Sequence, residues 1–266
     1  MNTIDVGDLS ILLVEPSVTQ SKVIQNHLLA EGVTKIEAAS SGNEALEIMM
    51  KYLPDLVVSS MYLPDMCATE LITAMRNEER LEGIPFMLVS SENRFNVLDP
   101  VRQSGVVAIL PKPFCHNDLS RALRITIELI DPEEISLDLY DVASLRILVV
   151  DDSSTARKHV SRILKGMGVE HIVEAVNGQE GVDALSNGEF DLIVTDYNMP
   201  EMDGGELVEW VRQEIGNTFI PILMITSEAN ESTLAHIQQA GVSAICNKPF
   251  DPENIREIIY RVLEAA

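Results

Sequence analysis

A shift of 136 residues lays this chain onto itself without a gap, and any fold proposed for it must respect that repeat. Ile11-Leu12 falls on Ile147-Leu148, Gly32-Val33 on Gly168-Val169, and Asp55-Leu56 on Asp191-Leu192. Ile84-Pro85 falls on Ile220-Pro221, and Lys112-Pro113-Phe114 on Lys248-Pro249-Phe250. Solenoid repeats run to about 20–50 residues, so a period this long marks a duplicated domain. The 266 residues then divide into residues 1–130, a joining segment 131–144 and residues 145–266. Each half has the size of an ordinary domain, about 100–150 residues.

Within each half, short apolar runs alternate with amphipathic stretches. LSILLV, VVSS, PFMLV and VVAIL in the first half read as buried strands, as do LRILVV, FDLIVT, PILMIT and VSAIC in the second. Weaker second strands are expected near 35–39 and 170–174, with helices at 154–167, 177–187, 204–215 and 252–264. A helix is also expected at 231–240; its counterpart in the first half contains Asp99-Pro100, which predicts a late start with Asp99 as the cap. Five strands alternating with five helices imply right-handed crossovers, giving an α/β fold of two doubly wound parallel sheets in tandem. Functional residues of such sheets gather beyond the carboxyl ends of the strands.

Charge and composition exclude several classes of function. The net charge is −23, with −10 in residues 1–136 and −13 in the remainder, and no basic run interrupts it. Such a surface repels nucleic-acid phosphates, so no direct nucleic-acid partner is expected, and proteins and cations are. No apolar stretch approaches the roughly 18 residues of a membrane span, and MNTIDVGDLS has no secretion signal, so no membrane partner is expected. Cys67, Cys115 and Cys246 lack metal or disulfide spacing and fit a reducing cytoplasm. The five histidines are scattered without metal spacing. Trp210 and the methionines read as core or partner-facing residues, and Cys246 as a small buried hydrophobe.

The chemistry gathers in the second half. Asp151-Asp152 follow the first strand, Asp196 ends the third, Thr226 ends the fourth and Lys248 follows the fifth. An acidic pair before a helix is, on its own, more often a cap than a site. Four successive strand ends opening on one sheet edge are another matter. Three neighbouring carboxylates repel one another and raise one another's pKa, and Mg²⁺ suits that ligand set. Asp196 can then act as a nucleophile toward phosphorus, with Lys248 neutralising phosphoryl oxygens and Thr226 donating a hydroxyl.

The segments ILVVDDSSTAR, FDLIVTDYNMPEMDG, PILMITSE and AGVSAICNKPF resemble receiver domains of bacterial two-component response regulators, closest in flavour to the single-domain chemotaxis regulator, whose fold is flavodoxin-like. That resemblance implies that Asp151 and Asp152 hold Mg²⁺ with Asp196 and the Asn198 backbone carbonyl, and that Asp196 is the phosphoacceptor. It implies that Thr226 is the signalling hydroxyl, that Lys248 binds the phosphoryl group and precedes a cis proline at Pro249, and that Asn198 and Glu228 tune phosphoryl loss. It also implies a histidine kinase or phosphotransfer protein as donor and an effector protein as target. Ile245 stands where many members carry a switching aromatic residue.

The first half departs from this pattern. Glu15 and Pro16 stand at the positions of Asp151 and Asp152, and Ser60 at the acceptor position, while Ser90 and Lys112 keep the hydroxyl and the ammonium. A serine without a neighbouring base is a weak nucleophile, so this half is expected to keep the fold, lose phosphoryl transfer and serve recognition, as a homodimer contact or a docking surface. Self-phosphorylation and self-dephosphorylation are the only reactions expected of the chain. It stops after IREIIYRVLEAA, so output would pass through partner contacts, unless the chain is the N-terminal part of a larger regulator such as a diguanylate cyclase. Two other readings use the same residues. A phosphate sink or relay intermediate would drain a kinase without signalling to an effector. A phosphatase resembling the haloacid dehalogenases would place its nucleophile on the first strand and its acidic pair late, the reverse of the order here.

Overall fold

The computed structural model describes residues 4–132, 141–213, 220–227, 237–249 and 251–264. It divides into two compact units, Met1–Asp131 and Pro132–Ala266. The first contains β1 (Ser10–Val14), α1 (Val18–Ala30), β2 (Lys35–Ala39), α2 (Gly42–Lys51), β3 (Leu56–Ser60) and α3 (Ala68–Arg76). It continues through β4 (Phe86–Ser90), α4 (Phe95–Gln103), β5 (Ala108–Pro111) and α5 (His116–Ile130). The second contains β6 (Arg146–Val150), α6 (Ser154–Gly166), β7 (His171–Ala175), α7 (Gly178–Asn187) and β8 (Leu192–Asp196). After these come α8 (Gly204–Gln213), β9 (Ile222–Thr226), β10 (Ala244–Asn247) and α9 (Pro252–Glu264). The helix expected at 231–240 and most of the joining segment, residues 133–140, lie outside the described residues.

Both sheets are wholly parallel, ordered β2-β1-β3-β4-β5 and β7-β6-β8-β9-β10. The sequence dictates which strands are central. All residues of β3, β4, β8 and β9 are buried, as continuous apolar runs demand in a sheet covered on both faces. KIEAA and HIVEA, with charged residues along them, take the half-exposed edges as β2 and β7. Alternation along each strand feeds two cores. In the first unit Leu12, Val57 and Phe86 pack toward α2 and α3, while Ile11, Val58 and Met87 pack toward α1 and α5. In the second, Leu148, Ile193 and Met224 meet Leu207, Val208 and Val211 of α8, with Trp210 and Ile245 at the margin.

This order reverses direction beside β1 and β6, so a crevice opens between the carboxyl ends of β1 and β3, and again between β6 and β8. Hydroxyl caps set the helices that leave it. The Ser17 hydroxyl accepts from the Gln20 N–H, and the Ser153 hydroxyl from the Ala156 N–H.

One expectation fails. Helix α4 does not begin at Asp99; it runs from Phe95, with Pro100 in its interior. Buried Leu98 and Val101 hold this turn against the core, and the Arg94 carbonyl accepts from both Val97 and Leu98. Pro100 and Asn96, the residue one turn back whose carbonyl loses its usual donor, are both exposed. Burial therefore outweighs the missing hydrogen bond.

Phe86 is fully buried in β4, so Phe86→Ala should lower the stability of the first unit by about 3–5 kcal/mol. Urea denaturation of the full chain measures this as a shift of the first unit's transition to lower denaturant.

Candidate functional site

At the end of β6 the chain turns through Asp151-Asp152-Ser153 before entering α6. The Ser153 N–H donates to Asp151 Oδ1 at 2.8 Å, so the loop itself orients that carboxylate. Lys248 follows β10; its backbone N–H donates to the Thr226 carbonyl, and the Lys248–Pro249 peptide is cis. Its ammonium lies 2.8 Å from Asp151 Oδ2 and 3.3 Å from Asp196 Oδ1. Asp196, the last residue of β8, is buried, and apart from the Lys248 ion pair neither carboxylate oxygen meets a well-aligned donor among the described residues. Thr226, at the end of neighbouring β9, is fully buried. Asp152 is exposed and opens the group to solvent. Close packing matters on the far side: a Cβ on Gly204 would sit 2.1 Å from the Asp196 carbonyl oxygen.

Ligand atoms of Asp151, Asp152 and Asp196 all lie within 4.8 Å of one another. Burial pushes the Asp196 carboxyl up to about 6; the Asp151 charge adds to this, and the Lys248 ammonium opposes it. A buried carboxylate so weakly hydrogen-bonded is costly, and a hard divalent cation relieves that cost through oxygen ligands. These donors fit Mg²⁺. Asn198 lies exposed in the loop two residues past Asp196, whereas Glu228 lies outside the described residues.

The first unit repeats the scaffold with another outcome. The Ser17 N–H donates to Glu15 Oε1 at 2.9 Å, and Lys112 Nζ donates to Glu15 Oε2 at 2.9 Å, the same two bonds that hold Asp151. Glutamate is one methylene longer, and here Glu15 Oε2 also accepts the Ser60 hydroxyl. Lys112 Nζ lies 3.2 Å from that hydroxyl. Burial alone would raise the Glu15 pKa, but hydrogen bonds from Ser60, Lys112 and the Ser17 N–H, with the Lys112 charge, hold it below the usual value. Ser90 is buried and accepts the Glu92 N–H, and Pro16, exposed where Asp152 stands in the other unit, offers no carboxylate. This cluster neutralises itself.

Three residues around the second site were not found by sequence reasoning: Arg157, Ser161 and Glu174. Arg157 Nη1 donates to the carbonyls of Asp151 (2.7 Å) and Asp152 (3.3 Å), and Glu174 joins Arg157 to Ser161. The signal was available, because Ser21, Gln25 and Ala38 stand at these places in the first half.

A five-stranded, doubly wound parallel sheet with acids, hydroxyl and lysine on its carboxyl edge has the architecture of a receiver domain. The chain belongs to the response regulator receiver domain family, whose sequence profile matches residues 11–124 and again residues 147–260. It is 36% identical to chemotaxis protein CheY-3 of Vibrio cholerae over 121 residues, 46% of this chain and 93% of that protein. It is 37% identical to chemotaxis protein CheY of Pseudomonas aeruginosa over 120 residues, 45% of this chain and 97% of that one. The crystal structure of a two-component response regulator/GGDEF domain protein covers 97% of this chain, with 98% of its own length, at 23% identity and a TM-score of 0.44. The chain is thus a two-component response regulator carrying CheY-like receivers in tandem. Among the described residues no helix is long and apolar enough to cross a membrane.

The two carboxylates should respond to substitution in opposite ways. The Asp196 pKa is raised in the folded state from its ordinary 3.8 to about 6, so the stability tied to its protonated form is complete below about 3.8 and lost as pH rises through 6. Asp196→Asn should therefore stabilise the metal-free protein at pH 7.5 by on the order of 2 kcal/mol, a gain that fades between pH 6 and 4. Glu15→Gln should destabilise the first unit by about 1–3 kcal/mol, since Lys112 loses its counter-charge. Urea denaturation without divalent cations, at pH 7.5 and pH 5, measures both.

Proposed function

We propose that the second unit accepts a phosphoryl group on Asp196 and that the first does not. The carrying observation is that the Asp196 carboxylate is buried beside Asp151 and pairs with the Lys248 ammonium at a loose 3.3 Å. A carboxylate so loosely held keeps lone pairs for attack on phosphorus, and the ammonium beside it can meet charge on the phosphoryl oxygens.

The donor is a phosphohistidine on a histidine kinase or phosphotransfer protein. An Asp196 oxygen attacks phosphorus in line, the P–N bond breaks, and the departing imidazole nitrogen takes up a proton. The Lys248 ammonium neutralises the phosphoryl oxygens, and the Thr226 hydroxyl donates to one of them. The carboxylates of Asp151, Asp152 and Asp196, with the Asn198 carbonyl, would hold Mg²⁺. When bound, that ion neutralises charge on the phosphoryl group. Asn198 and Glu228 set how fast water removes the group.

The chain turns over no separate substrate; its output is contact with an effector protein, regulated by phosphorylation of the second unit. The net charge of −23 disfavours nucleic acid as the direct partner. Three free cysteines fit a reducing cytoplasm. In the first unit no carboxylate stands at the acceptor place: Ser60 is there instead, its hydroxyl already donated to Glu15. That unit is proposed to serve recognition, as a docking surface or a contact between two copies.

Intact-mass spectrometry after incubation with Mg²⁺ and acetyl phosphate tests this assignment. Wild type and Ser60→Ala should each gain one phosphoryl adduct and Asp196→Asn none; an adduct that survives Asp196→Asn would contradict the acceptor.

A further inference from the structure

Arg157 lies in the first turn of α6, directly after the loop that carries Asp151 and Asp152. Its guanidinium turns back beneath that loop, and one nitrogen donates to two successive carbonyls, those of Asp151 at 2.7 Å and Asp152 at 3.3 Å. A second nitrogen meets Glu174 Oε2 of edge strand β7 at 3.3 Å, and Glu174 Oε1 accepts the Ser161 hydroxyl from the next turn of α6 at 2.9 Å. Only 13% of the Arg157 side chain is exposed, so the fork is held in place.

Resting on the acceptor reading above, we propose that Arg157 is a positioning residue for the acidic site, fixing the backbone that aims Asp151 and Asp152 and itself held by Glu174 and Ser161. Two adjacent carboxylates that must converge toward a third repel one another, and a loop left to itself would relax by turning them apart. Tying both carbonyls to one rigid cation opposes that relaxation. Lysine, a single point charge on a flexible stem, cannot hold two carbonyls and a carboxylate in the same plane. Because Glu174 neutralises the guanidinium, the effect on the acids is geometric rather than a charge added to the site.

The duplication supplies a control. In the first unit Ser21, Gln25 and Ala38 occupy these three positions, and Gln25 simply donates to the Ser21 hydroxyl. Its loop still builds β1, caps α1 and orients Glu15. The fold therefore forms without the network, which accompanies only the loop that must present two acids.

The test uses the full chain with Arg157→Met, Arg157→Lys, Glu174→Gln and the Arg157→Met/Glu174→Gln pair. Mg²⁺ titrations followed by amide chemical shifts at residues 196–198 give the affinity, and acetyl phosphate at saturating Mg²⁺ gives the initial phosphorylation rate. Arg157→Met should weaken Mg²⁺ binding about tenfold or more and slow phosphorylation. Arg157→Lys should restore only part of each, and Glu174→Gln should weaken binding in the wild-type background but add nothing to Arg157→Met. Wild-type affinity and rate in Arg157→Met would overturn the proposal. So would equal effects of Glu174→Gln in both backgrounds; if Arg157→Met folds poorly, wild-type Mg²⁺ affinity in both Arg157→Lys and Glu174→Gln would overturn it instead. A wild-type chain that takes up no phosphoryl group would instead sink the acceptor reading, and the Mg²⁺ affinities would still test the role of Arg157.

Discussion

A lysine ammonium at the carboxyl edge of a parallel sheet has to find a counter-charge, and the two halves of this chain meet that demand differently. Lys248 lies between Asp151 and Asp196 with 1% of its side chain exposed. It bonds closely to the first acid, leaving the second in a looser pair at 3.3 Å. Lys112 bonds to Glu15, which also takes the Ser60 hydroxyl, and nothing in that group is left wanting. The first arrangement stores a buried charge that burial penalises and a cation would relieve. The second is a finished ion pair of the sort that holds loops together.

The sheet topology makes this contrast possible. Reversal of strand order beside β1 and β6 brings the ends of nonconsecutive strands to one crevice, and caps at Ser17 and Ser153 deliver the loops in the same way. Side chains at three positions then decide the chemistry. Glutamate for aspartate lengthens the reach by one methylene, proline for aspartate removes a ligand, and serine for aspartate turns an acceptor of positive charge into a hydrogen-bond donor. None of these changes disturbs a core residue, so fold and chemistry separate cleanly.

Much of this was legible in the sequence. Continuous apolar runs such as ILLV and LMI marked strands buried on both faces, and the shift of 136 residues matched Glu15, Pro16, Ser60, Ser90 and Lys112 to Asp151, Asp152, Asp196, Thr226 and Lys248. Two features were not legible. The proline at 100 pointed to a helix start, but Leu98 and Val101 bury on either side of it and carry the helix through. The Arg157–Glu174–Ser161 network spans a helix and an edge strand, and no local pattern announces a side chain that folds back onto carbonyls of its own loop. Only the difference between the two halves at these positions carried that information.

One site gathers three carboxylates that fit a cation, and the other has closed on itself. Amide chemical shifts of the full wild-type chain, recorded as Mg²⁺ is added, test this most directly. Shifts should be confined to the second unit, around Asp151, Asp152 and residues 196–198, with the amides of Glu15, Ser60 and Lys112 unmoved. Shifts at the first site, or none at the second, would contradict it.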